Sequence, residues 1–157
     1  MDQKTINYVR LEFDTETIDR LYGYCREHKL GLFDGAGENA VAAADFKFHL
    51  TVIYSSVAHP NFVEGEYDIR PLEMQPEELR MFGPNNEIAA IKLKKNPGFA
   101  NLFDHYRTTY GHVSDYPLNP HVSIRGSNAG YAARLPAIPM PDFPLIANRL
   151  IHQIKQA

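Results

Sequence analysis

Tryptophan is absent from this 157-residue chain, and cysteine occurs once, at Cys25. One cysteine can neither close an internal disulfide nor build a zinc site alone, so packing must hold the fold. Its place in a helical stripe marks it as a core residue rather than a nucleophile. No apolar run approaches the roughly 18–20 residues that cross a bilayer. The opening Met1-Asp2-Gln3-Lys4 lacks the basic-then-apolar layout of a secretion signal. There is no long polar tract. The expectation is a reduced, cytoplasmic protein with no membrane association and no obligate protein partner. Nor is there an excess of positive charge: 16 Lys and Arg against 19 Asp and Glu give a net charge of −3. That argues against coating long nucleic acid, which needs many cations against phosphates. A small anionic ligand needs only a few local donors and stays open.

What is present is the composition of an ordinary soluble domain, 44% hydrophobic and 22% charged. Residues 7–13 alternate with period two, Val9, Leu11 and Phe13 on one face and Tyr8, Arg10 and Glu12 on the other, as in a half-buried strand. Asp14 or Thr15 can cap the helix that follows, whose stripe is Ile18, Leu21, Tyr22 and Cys25, with Gly31 as its stop. A glycine-containing loop over 34–45, with a helical turn around 42–44, leads to a strand at about 46–55. Short strands are expected near 67–74 and 78–82, with Pro71 at an edge or bend.

From residue 86 the pattern returns. A strand carries Ala89, Ile91 and Leu93 on one face, and Asn96 caps a helix with Pro97 in its first position. That helix has the apolar stripe Phe99, Leu102, Phe103, Tyr106 and Tyr110 and ends at Gly111. A loop then leads to a strand at 120–126. Strand, helix, strand thus occurs twice, which implies two similar lobes in one domain, roughly 1–60 with the tail and 61–135. The tail is extended and proline-studded over 136–144. Residues 145–154 fit either a strand or a helix, and strand is the preferred reading.

Each closing strand carries the same tetrad type: His49-Leu50-Thr51-Val52 and His121-Val122-Ser123-Ile124. On a strand, residues i and i+2 share a face, so each imidazole projects beside a hydroxyl while the apolar pair anchors the strand. If the lobes are related by an approximate two-fold axis, the two pairs converge across a cleft. Phosphodiester cleavage needs such a set. One imidazole takes a proton from the attacking oxygen, the other protonates the leaving oxygen, and the hydroxyls donate to non-bridging phosphate oxygens. No carboxylate–histidine cluster has metal-ligand spacing, so neither metal nor cofactor is expected. His112-Val113-Ser114 begins like a tetrad, but Asp115 fills the fourth place and the segment follows Gly111, so it reads as loop. His28, His59, His105 and His152 have no hydroxyl partner at i+2 and read as surface or packing residues. Tyr8 and Arg10 face away from the core side of the first strand, and Arg125 shares the parity of His121 and Ser123. These three are candidates for contacting a base or a phosphate, against the alternative of plain solvent exposure.

Two such tetrads about seventy residues apart, each closing a strand-helix-strand unit, resemble the 2H phosphoesterase superfamily. Within it, His49-Leu50-Thr51-Val52-Ile53-Tyr54-Ser55 and Asp115-Tyr116-Pro117-Leu118-Asn119-Pro120-His121-Val122-Ser123 look like the two motifs of the bacteriophage anti-CBASS phosphodiesterases. Tyr8-Val9-Arg10-Leu11 is similar to their first strand. The resemblance implies a bilobed α+β fold, two pseudo-symmetric lobes of antiparallel sheet backed by helices around a central cleft. It also implies metal-independent cleavage of 3′–5′ bonds in cyclic di- and trinucleotide immune signals, such as 3′,3′-cyclic GMP–AMP, by attack of the adjacent ribose 2′-hydroxyl. His49 and His121 would be the acid–base pair, Thr51 and Ser123 phosphate ligands, and Tyr8 a base-stacking residue. Ser123 stands where threonine is commoner, which keeps the hydroxyl. Some members carry a base-contacting tryptophan in the tail, and this chain has none. The competing expectations are an RNA 2′,3′-cyclic phosphodiesterase or 2′–5′ ligase-like enzyme, a non-cleaving nucleotide sponge, and a purely structural or interaction protein.

Overall fold

The computed structural model describes residues 4–33, 48–83, 85–114, 118–126 and 130–156. The helical turn expected near 42–44 and the loop at 115–117 lie outside these residues. The first unit is β1 (Thr5–Phe13), α1 (Thr15–His28) and β2 (His49–Ser55). Two long strands follow, β3 (Gly65–Met74) and β4 (Pro76–Phe82). The second unit is β5 (Ile88–Leu93), α2 (Pro97–Thr109) and β6 (His121–Gly126), followed by a short helix, α3 (Tyr131–Arg134), and β7 (Leu145–Gln156). The strands form two antiparallel sheets, ordered β2-β1-β7-β3 and β4-β5-β6. The fold is therefore α+β, with both tetrad strands at sheet edges. No helix among the described residues is long and apolar enough to cross a membrane.

Both helices begin as the sequence dictates. The Asp14 side chain accepts the Thr17 N–H at 2.8 Å, and Asn96 accepts that of Phe99 at 3.0 Å with Pro97 just inside the helix. The first helix ends earlier than Gly31. Lys29 adopts the left-handed conformation itself (φ 56°) and closes the helix, while Gly31 starts a separate 3-10 turn, Gly31–Phe33. Glycine is needed there for two reasons. Its φ is +57°, and a Cβ would press 3.2 Å from the Ile124 carbonyl oxygen of β6.

The tail segment is a strand, and it lies between β1 and β3. Strand β3 pairs with β7 in the first sheet, so the change of sheet falls at Gln75 rather than near residue 61. Periodicity cannot show this, because β3 and β4 are nearly one run of chain shared between two sheets. The β3–β7 register breaks between Asp68 and Leu72, around the bend expected at Pro71.

Leu21 and Cys25 of α1, Val9 and Leu11 of β1, Phe99 and Tyr106 of α2, and Ile91 and Val122 of the second sheet belong to one buried cluster. The units are interlocked within it. The turn after α1 packs on β6, α2 packs on β2, and β2 lies against β6. The Tyr131 hydroxyl accepts the Gly31 N–H at 2.8 Å in the interior, which fixes that turn. The two histidine strands therefore lie against each other, β2 also meeting α2 and β6 the turn after α1.

Candidate active site

Simple alternation along β2 would put His49, Thr51, Ile53 and Ser55 on one face. The register with β1 pairs His49 with Glu12, Thr51 with Arg10, and then Ile53 with Val9 and Tyr54 with Tyr8, leaving Val52 without an opposite residue. Val52 is thus a β-bulge, and Val52 and Ile53 are both buried. The extra residue reverses parity, so Tyr54 rejoins the face of His49 and Thr51. The second unit repeats this. His121 pairs with Lys92 and Ser123 with Ala90, Ile124 is unopposed, and Arg125 and Gly126 pair with Ala89 and Ile88. The bulge falls at the fourth position of both tetrads. This correspondence lies in backbone geometry, which residue spacing alone does not carry.

The register change at Ile124 sets Arg125, grouped by parity with His121 and Ser123, opposite Ala89. The Arg125 side chain lies outside the described residues.

A cleft of about 580 Å³ opens between the sheets, with walls that include Tyr8, Thr51, Tyr54, Phe82, His121 and Lys155. Glu87, Ile88, Ser114 and Asn119 add the far side. Of the four tetrad histidines and hydroxyl residues, Thr51 and His121 line it. His49 is half-buried beside the cleft, its ring edge-on to Tyr8 with centroids 6.4 Å apart, and Ser123 is exposed. Arg10 does not line the cleft. Its guanidinium donates to Gln153 at 2.9 Å and pairs with Glu12 at 3.4 Å. His112, expected in a loop, is buried there and hydrogen-bonds to Asn7 at 2.9 Å. His152 packs flat on Phe62 and bonds to the Tyr106 hydroxyl at 2.6 Å, so it serves packing.

The His121 imidazole is fixed on two sides. Its Nδ1–H donates to the Asn119 carbonyl at 2.7 Å, and the Phe82 ring stacks on it at 4.2 Å between centroids. The carbonyl can only accept, so Nδ1 holds the proton in the neutral ring and Nε2 is left to exchange one. Tyr8 meets Thr51 hydroxyl to hydroxyl at 3.1 Å. Burial pushes the Tyr8 phenol above its usual value, more than the Thr51 bond and the Arg10 charge lower it, so it remains a protonated donor. The Lys155 ammonium lies over the Tyr8 ring, 4.5 Å from its centroid. It sets a positive charge at the cleft wall and covers one face of the Tyr8 ring. Among the described residues no three His, Cys, Asp or Glu side chains gather as metal ligands.

The sequence reading missed Tyr54, Lys155, Phe82 and Glu87. Tyr54 was hidden by the parity change at Val52. Lys155 lies opposite Ile6 of β1, two residues along the strand from Tyr8, a relation that exists only once β7 is set beside β1. Phe82 and Glu87 flank the β4–β5 turn, where period-two patterns end. No family model and no curated protein matches this chain.

Proposed function

We propose that this protein is a two-histidine phosphodiesterase that cleaves a 3′–5′ bond of a small cyclic di- or trinucleotide without a metal ion, and that it thereby lets a phage evade nucleotide-triggered host defence. One observation carries the reading. Two His-apolar-hydroxyl-apolar tetrads, each bulged at its last residue, lie on abutting edge strands, with Thr51 and His121 fronting one cleft. The cleft volume lies within the roughly 300–1,000 Å³ typical of small-ligand sites.

In this mechanism Nε2 of one imidazole takes the proton of the ribose 2′-hydroxyl as that oxygen attacks the adjacent phosphorus. The other imidazole, protonated, gives its proton to the departing 5′-oxygen. The linear product ends in a 2′,3′-cyclic phosphate, which water opens to a 3′-phosphate when the two rings exchange roles. The restrained ring of His121 suits the first role in this direction, leaving His49 as the acid. The Thr51 and Ser123 hydroxyls donate to the non-bridging oxygens as charge accumulates on them. The Lys155 ammonium offsets phosphate charge at the wall.

The test is a panel of cyclic di- and trinucleotides, 2′,3′-cyclic mononucleotides and 2′–5′ oligomers, each incubated with EDTA. A linear product carrying a terminal 3′-phosphate or cyclic phosphate is expected, and His49→Ala or His121→Ala should lower turnover by about 10²–10⁴-fold. Replacing the substrate 2′-hydroxyl with hydrogen should stop the reaction; continued turnover rules out attack from that oxygen. Tight binding with the ligand returned intact on denaturation would make the protein a sponge. Turnover restricted to RNA ends or 2′–5′ oligomers would reassign the substrate.

A further inference from the structure

At the Phe82–Ile88 end of the cleft, opposite Lys155 in charge, stands a carboxylate that the proposed chemistry does not use. Glu87 is half-buried, lines the cleft and accepts the Asn85 N–H through Oε2 at 2.9 Å. The turn is shaped around it. Gly83 has φ +96°, which favours glycine, and a Cβ there would lie 2.7 Å from the Glu87 carboxylate and push it aside. A fixed negative charge repels a polyanionic ligand. Its presence in the wall calls for a ligand edge rich in hydrogen-bond donors. Of the common bases, guanine alone presents two adjacent donors, N1–H and N2–H, on its Watson–Crick edge. Adenine and cytosine set one donor beside a ring-nitrogen acceptor, and uracil sets one donor between two carbonyls. An ionised carboxylate is acceptor-only and can take both guanine donors at once.

We propose that Glu87 reads guanine, so that the cleft prefers cyclic nucleotides with at least one guanine; this rests on the phosphodiesterase reading for its substrate class. Glu87→Gln turns an acceptor pair into an acceptor beside a donor, which matches adenine instead. The experiment has two arms. In the first, binding of 5′-GMP, 5′-IMP and 5′-AMP to the whole protein is followed by NMR titration. The expected order is GMP, then IMP, which lacks the N2 amino group, then AMP. In the second, kcat/KM is measured for cyclic di-GMP and cyclic di-AMP, and the ratio of the two should fall at least tenfold in the Glu87→Gln variant. Equal binding of the three mononucleotides, or an unchanged ratio, overturns the proposal. Discrimination among the mononucleotides without cleavage of any cyclic substrate keeps the guanine subsite and sinks the phosphodiesterase reading, so the two failures are distinguishable. The binding series on the unaltered protein tests the proposal even if the variant does not fold.

Discussion

The hydroxyl contact between Tyr8 and Thr51 makes a sharp kinetic prediction. As a buried, protonated phenol, Tyr8 can donate to Thr51 Oγ1 across 3.1 Å, which in the proposed mechanism frees the threonine's own proton for the phosphate. Tyr8→Phe removes that donor and keeps the ring, its edge contact with Tyr54 and the overlying Lys155. One neutral, partly buried hydrogen bond contributes about 0.5–1.5 kcal/mol, which is roughly a twofold to twelvefold loss in kcat. KM should stay nearly constant, because the ring and the neighbouring cation remain. Thr51→Val removes the phosphate donor itself and should lower kcat by about 10²-fold, the low end for such donors, since Thr51 is only half-buried. Steady-state kinetics on the two single variants and the double variant close a cycle. If Tyr8 acts through Thr51, Tyr8→Phe should do little more once the threonine hydroxyl is gone. The same penalty in both backgrounds, or a change in KM alone, would show that Tyr8 acts directly on the ligand and would refute the hydrogen-bond argument.

Asn7, only 1% exposed, accepts both the His59 N–H and the His112 ring at 2.9 Å. Asn7→Ala strands two donors at about 1–3 kcal/mol each, so thermal unfolding should fall by roughly 4–24 °C. His112 and His152 are both held below their usual 6.5, chiefly by burial, with neighbouring histidine charges adding to it and, at His152, donation to the Val63 carbonyl opposing it. The unfolded chain therefore gains protons first as pH falls. Stability should be full above 6.5 and decline below it, by at most about 2.7 kcal/mol per pH unit for two protons. Urea midpoints from pH 8 to 5 check this, and a flat profile contradicts it. Burial pushes the Cys25 thiol up to about 12, so the folded protein should not react with a thiol reagent at pH 8 until denatured.

The local signals were legible because they rest on local physics. Asp14 and Asn96 announce their helices by side-chain geometry at the first turn, and the stripe of Leu21 and Cys25 must face apolar neighbours wherever the helix goes. The two tetrads stand out because period two places an imidazole and a hydroxyl on one side of any strand. What was not legible is non-local. A bulge at Val52 or Ile124 depends on the partner strand, so Tyr54 and Arg125 could not be assigned to a face from spacing. The Met74–Pro76 passage between sheets, and the meeting of Lys155 with Tyr8, follow from strand order. His112 looked like a stray histidine because its partner, Asn7, lies 105 residues away.

Strand β7 follows every other described element, yet it occupies the interior of its sheet, with β1 and β3 on either side. During synthesis the two flanking strands are made long before the segment that joins them. The wall bearing Tyr8 thus lacks Lys155 until the final described turn of chain has been threaded home. Assembly in that order is intrinsically slow, since distant pairings must form before they are rewarded. It also makes the cleft a late feature: a nascent chain released before residue 145 would carry both histidine motifs and lack the strand that bears Lys155.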